Sequence, residues 1–128
     1  ERAFYNCSRL KTFEFKEGLE YIGPKAFDLC SRLASIYLPD SLIEIGNGAF
    51  ERCSNIDTVY LGIGLKKIGD DAFASISAND EIEYRGTLKM WGKIENARNL
   101  CRGVSDIAVK CTDGEIVLEP DPISVELD

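Results

Sequence analysis

Apolar and polar residues alternate in four short stretches of this chain, and the stretches follow one another at a fixed step of 23 residues: Phe13 and Phe15, Ile36 and Leu38, Val59 and Leu61, Ile82 and Tyr84. Alternation with period two predicts strands that each bury one face. Leu19, Leu42 and Leu65 keep the same step, as do Ile22, Ile45 and Ile68, and the glycines Gly23, Gly46 and Gly69 follow the isoleucines. The pair Ala-Phe recurs at Ala3-Phe4, Ala26-Phe27, Ala49-Phe50 and Ala72-Phe73, with Cys7, Cys30 and Cys53 four residues after the first three alanines. Apolar residues at i, i+1 and i+4 share one side of a helical turn. Pro24, Asn47 and Asp70, directly after the glycines, suit a helix start. The glycines themselves are expected at positive φ. A period of about 20 to 30 residues means stacked units, each too small to bury its own apolar face. The predicted fold is an α/β repeat solenoid, with short parallel strands on one face and helical turns on the opposite, convex face.

After Asp80 the pattern changes. Leu88, Trp91, Ile94 and Cys101 recur at helical spacing, with Thr87 as N-cap. Ile107, Val109 and Cys111 alternate, Thr112-Asp113-Gly114 supplies a turn, and Ile116 and Leu118 alternate again, which predicts a β-hairpin. An open solenoid must cover its last apolar layer, and a Trp-bearing helix with a hairpin does so. The chain therefore divides into 23-residue repeats over 1–87, the first partial and the last degenerate, a C-terminal capping helix and β-hairpin over 88–118, and an acidic tail over 119–128.

The unit reads A-F-x-x-C-S-x-L-x-x-I-x-L-P-x-x-L-x-x-I-G-x-x and closely resembles the BspA-like leucine-rich repeat, also called the Treponema pallidum type, over residues 1 to about 92. Two further motifs, Y-x-G-T-x-x-x-W-x-x-I from Tyr84 and V-x-C-T-D-G from Val109, are similar to C-terminal ends of such proteins. The resemblance implies a right-handed superhelix and a non-catalytic scaffold for protein–protein interaction. It also implies adhesion or host and matrix binding, on secreted or surface-attached proteins of bacteria and some protists. An extracellular or cell-surface location follows from the resemblance alone.

Charge and chemistry narrow the function classes. The net charge is −7, and six carboxylates without a Lys or Arg fall in residues 112–128, an acidic segment of the kind that is usually solvated. No basic stripe offsets phosphate repulsion, so nucleic acid is not an expected partner. No apolar run of about 18 residues is present, so membrane insertion by this chain is not expected. The chain opens at Glu1 in mid-repeat and reads as a piece of a longer array. It contains no histidine, which removes Ser-His and Cys-His nucleophile activation, and no enzyme, cofactor or metal site is expected. The column cysteines read as core residues. Cys101 with Cys111 is the one disulfide to consider in the C-terminal element, and five thiols leave at least one unpaired.

The residues that alternate with the core should stand in rows on the outer surface of the sheet: Thr12, Glu14 and Lys16; Ser35, Tyr37 and Pro39; Thr58, Tyr60 and Gly62; Glu81, Glu83 and Arg85. Strand neighbours lie about 4.8 Å apart, so Tyr37 and Tyr60 should stack between Glu14 and Glu83. Glu14, Tyr37, Tyr60, Glu83 and Arg85 are the candidate ligand-binding residues, because tyrosine offers contact area and a hydroxyl at low entropic cost. Aromatic residues also suit a β surface through cross-strand packing alone. Alternative readings are a glycan-binding module on the same row, or a structural C-terminal end of a longer array. The strand expected at 12–16 would be an open edge, through which the chain could self-associate.

Overall fold

A computed structural model describes residues 14–76, 80–102, 104 and 106–119. Each coil of the repeat contributes two short strands to two separate sheets. β2 (Ser35–Tyr37), β4 (Thr58–Leu61) and β6 (Glu81–Tyr84) lie parallel in one sheet, extended by β7 (Ala108–Cys111) and β8 (Gly114–Val117) in the order β2-β4-β6-β7-β8. β1 (Tyr21–Ile22), β3 (Glu44–Ile45) and β5 (Lys67–Ile68) form a second parallel sheet. Register follows the sequence columns: Ile36 pairs with Val59 and Val59 with Ile82, while Ile22 pairs with Ile45 and Ile45 with Ile68. A sheet register that matches the period places every apolar column in one continuous core. Of the strand expected at 12–16, Thr12 and Phe13 lie outside the described residues, and Glu14, Phe15 and Lys16 form no strand. Self-association through that edge, like the place of Cys7 and of the first Ala-Phe pair, therefore also falls outside them.

The Ala-Phe segments are turns rather than helices. In a helix every amide points back along its own chain, but here alternate amides leave for the next coil. Lys25, Phe27 and Leu29 donate to the carbonyls of Asn47, Ala49 and Glu51, whereas Ala26, Asp28 and Cys30 donate three residues back, to Gly23, Lys25 and Phe27. The next coil repeats the scheme, with Gly48 donating to Asp70 and Phe50 to Ala72. This alternation requires left-handed residues within the turn, and Lys25, Leu29, Arg52 and Asp71 stand at φ between 54° and 64°, with Gly48 at 62°.

The column glycines Gly46 and Gly69 are absent from the positive-φ residues. Their role is close approach. A Cβ on Gly46 would lie 2.5 Å from the Pro24 nitrogen, and one on Gly69 would lie 2.4 Å from the Asn47 nitrogen. Asn47 likewise starts no helix: its Oδ1 accepts the Asp70 amide of the following coil at 2.8 Å.

The core is a ladder of identical residues. Phe27, Phe50 and Phe73 stack with centroids 5.1 Å apart and planes within 6° of parallel, and Phe15 packs edge-on against Phe27 at 5.3 Å. Packed with them, Cys30, Cys53, Leu33, Ile36, Val59, Leu42, Ile45 and Ile68 are fully buried, whereas Leu19, in the first described coil, is only partly covered. Among the described residues one buried carboxylate interrupts this apolar interior, Asp28, which accepts two hydrogen bonds from the Arg52 guanidinium of the next coil at 3.0 and 2.5 Å.

The C-terminal element continues the coil instead of standing apart from it. The helix expected from Leu88 shrinks to one turn, α1 (Leu88–Trp91), capped by Thr87, whose Oγ1 accepts the Met90 amide at 3.2 Å. A 3-10 turn, Ala97–Asn99, follows, so Cys101 is not on that helix. Between them Glu95 bridges Lys67 in parallel, adding to the second sheet. Asn96, at φ 63°, offers its side-chain amide to the Ile68 carbonyl at 3.0 Å, where Gly46 and Gly69 use backbone amides for the equivalent carbonyls of Ile22 and Ile45. Trp91 is buried against Tyr84 at 5.3 Å, edge to face. The hairpin forms as expected, with Cys111 opposite Gly114, and Asp113 Oδ1 accepts the Leu88 amide at 2.8 Å.

Candidate functional site: the exposed sheet face

The larger sheet buries Ile36, Val59, Ile82 and Val109 on one side and presents the residues between them on the other. Pairing fixes their order: Tyr37 lies beside Tyr60, Tyr60 beside Glu83, Glu83 beside Lys110 and Lys110 beside Glu115. Glu14 stands one 23-residue period before Tyr37. A second row, Ser35, Thr58 and Glu81, runs alongside. The third expected row is exposed at Lys16 and Arg85 but broken between them. Pro39 and Gly62 are buried, because the coils bend there so tightly that a Cβ on Gly62 would lie 2.6 Å from the Pro39 carbonyl oxygen.

The two tyrosine rings are parallel to within 4°, with centroids 4.4 Å apart. That separation is close to the strand spacing of about 4.8 Å. The rings therefore stand largely upright on the sheet, with their inner faces on each other and their edges and hydroxyls toward solvent. Tyr37 remains 61% exposed. The Tyr60 phenol is held above its ordinary pKa, first by desolvation, then by the Tyr37 phenol and the Glu83 carboxylate, with further contributions from a hydrogen bond to Tyr37 and from Glu81. The surroundings of the pair are thus acidic on the β6 side.

The remaining candidates take distinct places. Glu14 is well exposed, with Lys16 Nζ at 4.0 Å. Arg85 leaves the row: its guanidinium lies 3.3 Å from Asp40, and Asp40 also accepts the Ile63 amide at 3.0 Å. Beyond Glu83 a shallow hollow of about 360 Å³ is lined by Tyr60, Glu83, Tyr84, Arg85, Lys110, Cys111 and Thr112. Lys110 and Glu115 extend the row, although sequence reasoning left them out. The alternation of Val109 and Cys111 marked Lys110 as outward, but only the parallel pairing of β7 with β6 brings it beside Glu83.

Other chemistry is sparse. Cys53, Cys101 and Cys111 are free thiols. Cys53 donates to the Phe27 carbonyl at 2.9 Å, and burial pushes its pKa up to about 12. Burial likewise pushes Cys101 up to about 11. Among the described residues no group of three or more His, Cys, Asp or Glu could hold a metal ion, and no helix is long and apolar enough to cross a membrane.

Residues 1–101 match the family described as BspA type Leucine rich repeat region, in 6 copies. The match runs through α1 and the 3-10 turn, the segment that adds Glu95 to the second sheet. Comparison with curated proteins and with solved structures returned no match.

Proposed function

The chain belongs to the BspA-type leucine-rich repeat family, a non-catalytic repeat scaffold for protein interaction, and from that premise we propose that its exposed tyrosine face is the surface that binds a protein partner. The observation that carries the reading is the parallel Tyr37–Tyr60 pair, left exposed on a sheet whose strands β2, β4, β6 and β7 each bury a residue in the core. Interfaces draw most of their energy from a few large residues of this kind. Family membership further supports adhesion, with a host-surface or matrix protein as ligand and the bacterial cell exterior as location.

The test is capture of matrix proteins by the immobilised chain and by its Tyr37→Ala/Tyr60→Ala variant, with melting curves for both. The reading expects capture by the parent and loss in a variant of nearly equal stability. Equal capture by both would remove the tyrosine face from the interaction.

A further inference from the structure

The row that carries the tyrosines has a chemical symmetry that narrows the partner, an inference that rests on the tyrosine face being the binding surface. Along Tyr37, Tyr60 and Glu83 the two rings occupy each other's inner faces and the outer side of Tyr60 has Glu83 in register beside it, while Glu14 stands one 23-residue period before Tyr37. A group that fills such a slot must be flat enough to stack on a ring and positive enough to satisfy a carboxylate beside it. The arginine guanidinium meets both conditions, since it stacks on aromatic faces and donates parallel hydrogen bonds to a carboxylate.

The charges around the slots point the same way. Glu81 lies two residues before Glu83 on the same face of β6, and Asp57 directly precedes β4. Both carboxylates of β6 act on the Tyr60 phenol. Three cations lie close by: Lys16 faces Glu14 at 4.0 Å, Arg85 is held by Asp40 at 3.3 Å, and Lys110 sits in register on the far side of Glu83. An acidic segment laid on the tyrosines would meet Glu81 and Glu83 at once, and like charges across an interface disfavour docking.

We propose that this face takes an extended, arginine-bearing segment of a protein partner, with guanidinium groups on the outer faces of Tyr37 and Tyr60, paired with Glu14 and Glu83. The rings are 4.4 Å apart, and a stacked group adds about 3.5 Å on each side. The two slots are then about 11 Å apart, which an extended chain at about 3.3 Å per residue spans in three to four residues. Side chains at i and i+4 of an extended segment point the same way. The favoured spacing is therefore Arg-x-x-x-Arg.

The experiment titrates the chain with three nine-residue peptides of identical Ser/Thr background that carry Arg, Lys or Glu at positions i and i+4. It follows the aromatic NMR signals of Tyr37 and Tyr60, with a neutral oligosaccharide as a fourth probe. The expected result is binding of the Arg peptide at these rings, about tenfold tighter than the Glu peptide and weakened about tenfold by Glu14→Gln/Glu83→Gln, with affinity falling as salt rises. Equal binding of the Glu peptide, perturbation of the rings by the oligosaccharide alone, or indifference of the Arg peptide to the double Gln substitution would overturn the proposal. Failure of this inference is separable from failure of the face itself. Matrix-protein capture that is lost with Tyr37→Ala/Tyr60→Ala but untouched by Glu14→Gln/Glu83→Gln would keep the face and reject arginine.

Discussion

Phe50 and Tyr37 both stack on a ring one coil away, yet one is fully buried and the other is 61% exposed. Their energetic roles differ accordingly. Phe50 lies fully buried between Phe27 and Phe73, so Phe50→Ala is expected to cost about 3–5 kcal/mol through lost transfer energy and the cavity left behind. Tyr37→Ala removes one exposed cross-strand pair and should cost at most about 1 kcal/mol. Urea melts of both variants check the contrast, and equal losses would contradict it.

The buried thiols make a pH-dependent prediction at the same scale. Cys53 moves from an ordinary 9.0 to about 12, so above pH 9 the unfolded chain releases a proton that the folded chain still holds. The contribution of this thiol to stability is fully present below pH 9 and declines up to pH 12, by about 1.4 kcal/mol per pH unit. Stability measured from pH 8 to 11 should fall less steeply in a Cys53→Ala variant than in the parent.

At the scale of elements, strands β2, β4 and β6 of the larger sheet were legible in sequence because period-two alternation and a fixed 23-residue step leave one register that buries their apolar columns. The hairpin was legible through Thr112-Asp113-Gly114. The Ala-Phe segments were not, because the pattern i, i+1, i+4 describes which side chains point inward and says nothing of where the amides go. Alternate amides bond to the next coil, and that long-range demand overrides local helical preference. The three-stranded sheet was missed for a related reason: two residues such as Tyr21–Ile22 are too short to show alternation. The exposed row was readable as far as Glu83, but Lys110 joins it only through a crossover longer than one repeat. Close packing of the coils gives the glycine column its meaning. Gly69→Ala would press a Cβ to within 2.4 Å of the Asn47 backbone, so a loss of about 3 kcal/mol or more is expected in a thermal melt. A neutral outcome would mean that the coils can separate at this corner.

The buried ion pair adds a second test between elements. Asp28 is fully buried, whereas the Arg52 side chain is about half exposed. Removing the arginine leaves a carboxylate stranded in the core, whereas removing the carboxylate leaves a cation that can turn to water. Arg52→Ala should therefore cost about 3–5 kcal/mol, and more than Asp28→Asn, as read from paired denaturation curves.

For the whole molecule, stacking yields two separate sheets, and each carries a well-exposed tyrosine: Tyr37 on the larger and Tyr21, 60% exposed, on the smaller. Binding falls to the first alone, since Tyr37 has a second ring stacked in register beside it whereas Tyr21 pairs with Glu44. Matched exposure makes Tyr21 an internal control for a footprint. Hydroxyl-radical labelling of the chain, free and saturated with a captured protein ligand, tests this most directly. The predicted result is labelling of Tyr21 and Tyr37 in the free chain, with Tyr37 and Tyr60 protected in the complex and Tyr21 unchanged; protection of Tyr21 with Tyr37 and Tyr60 still labelled would contradict it.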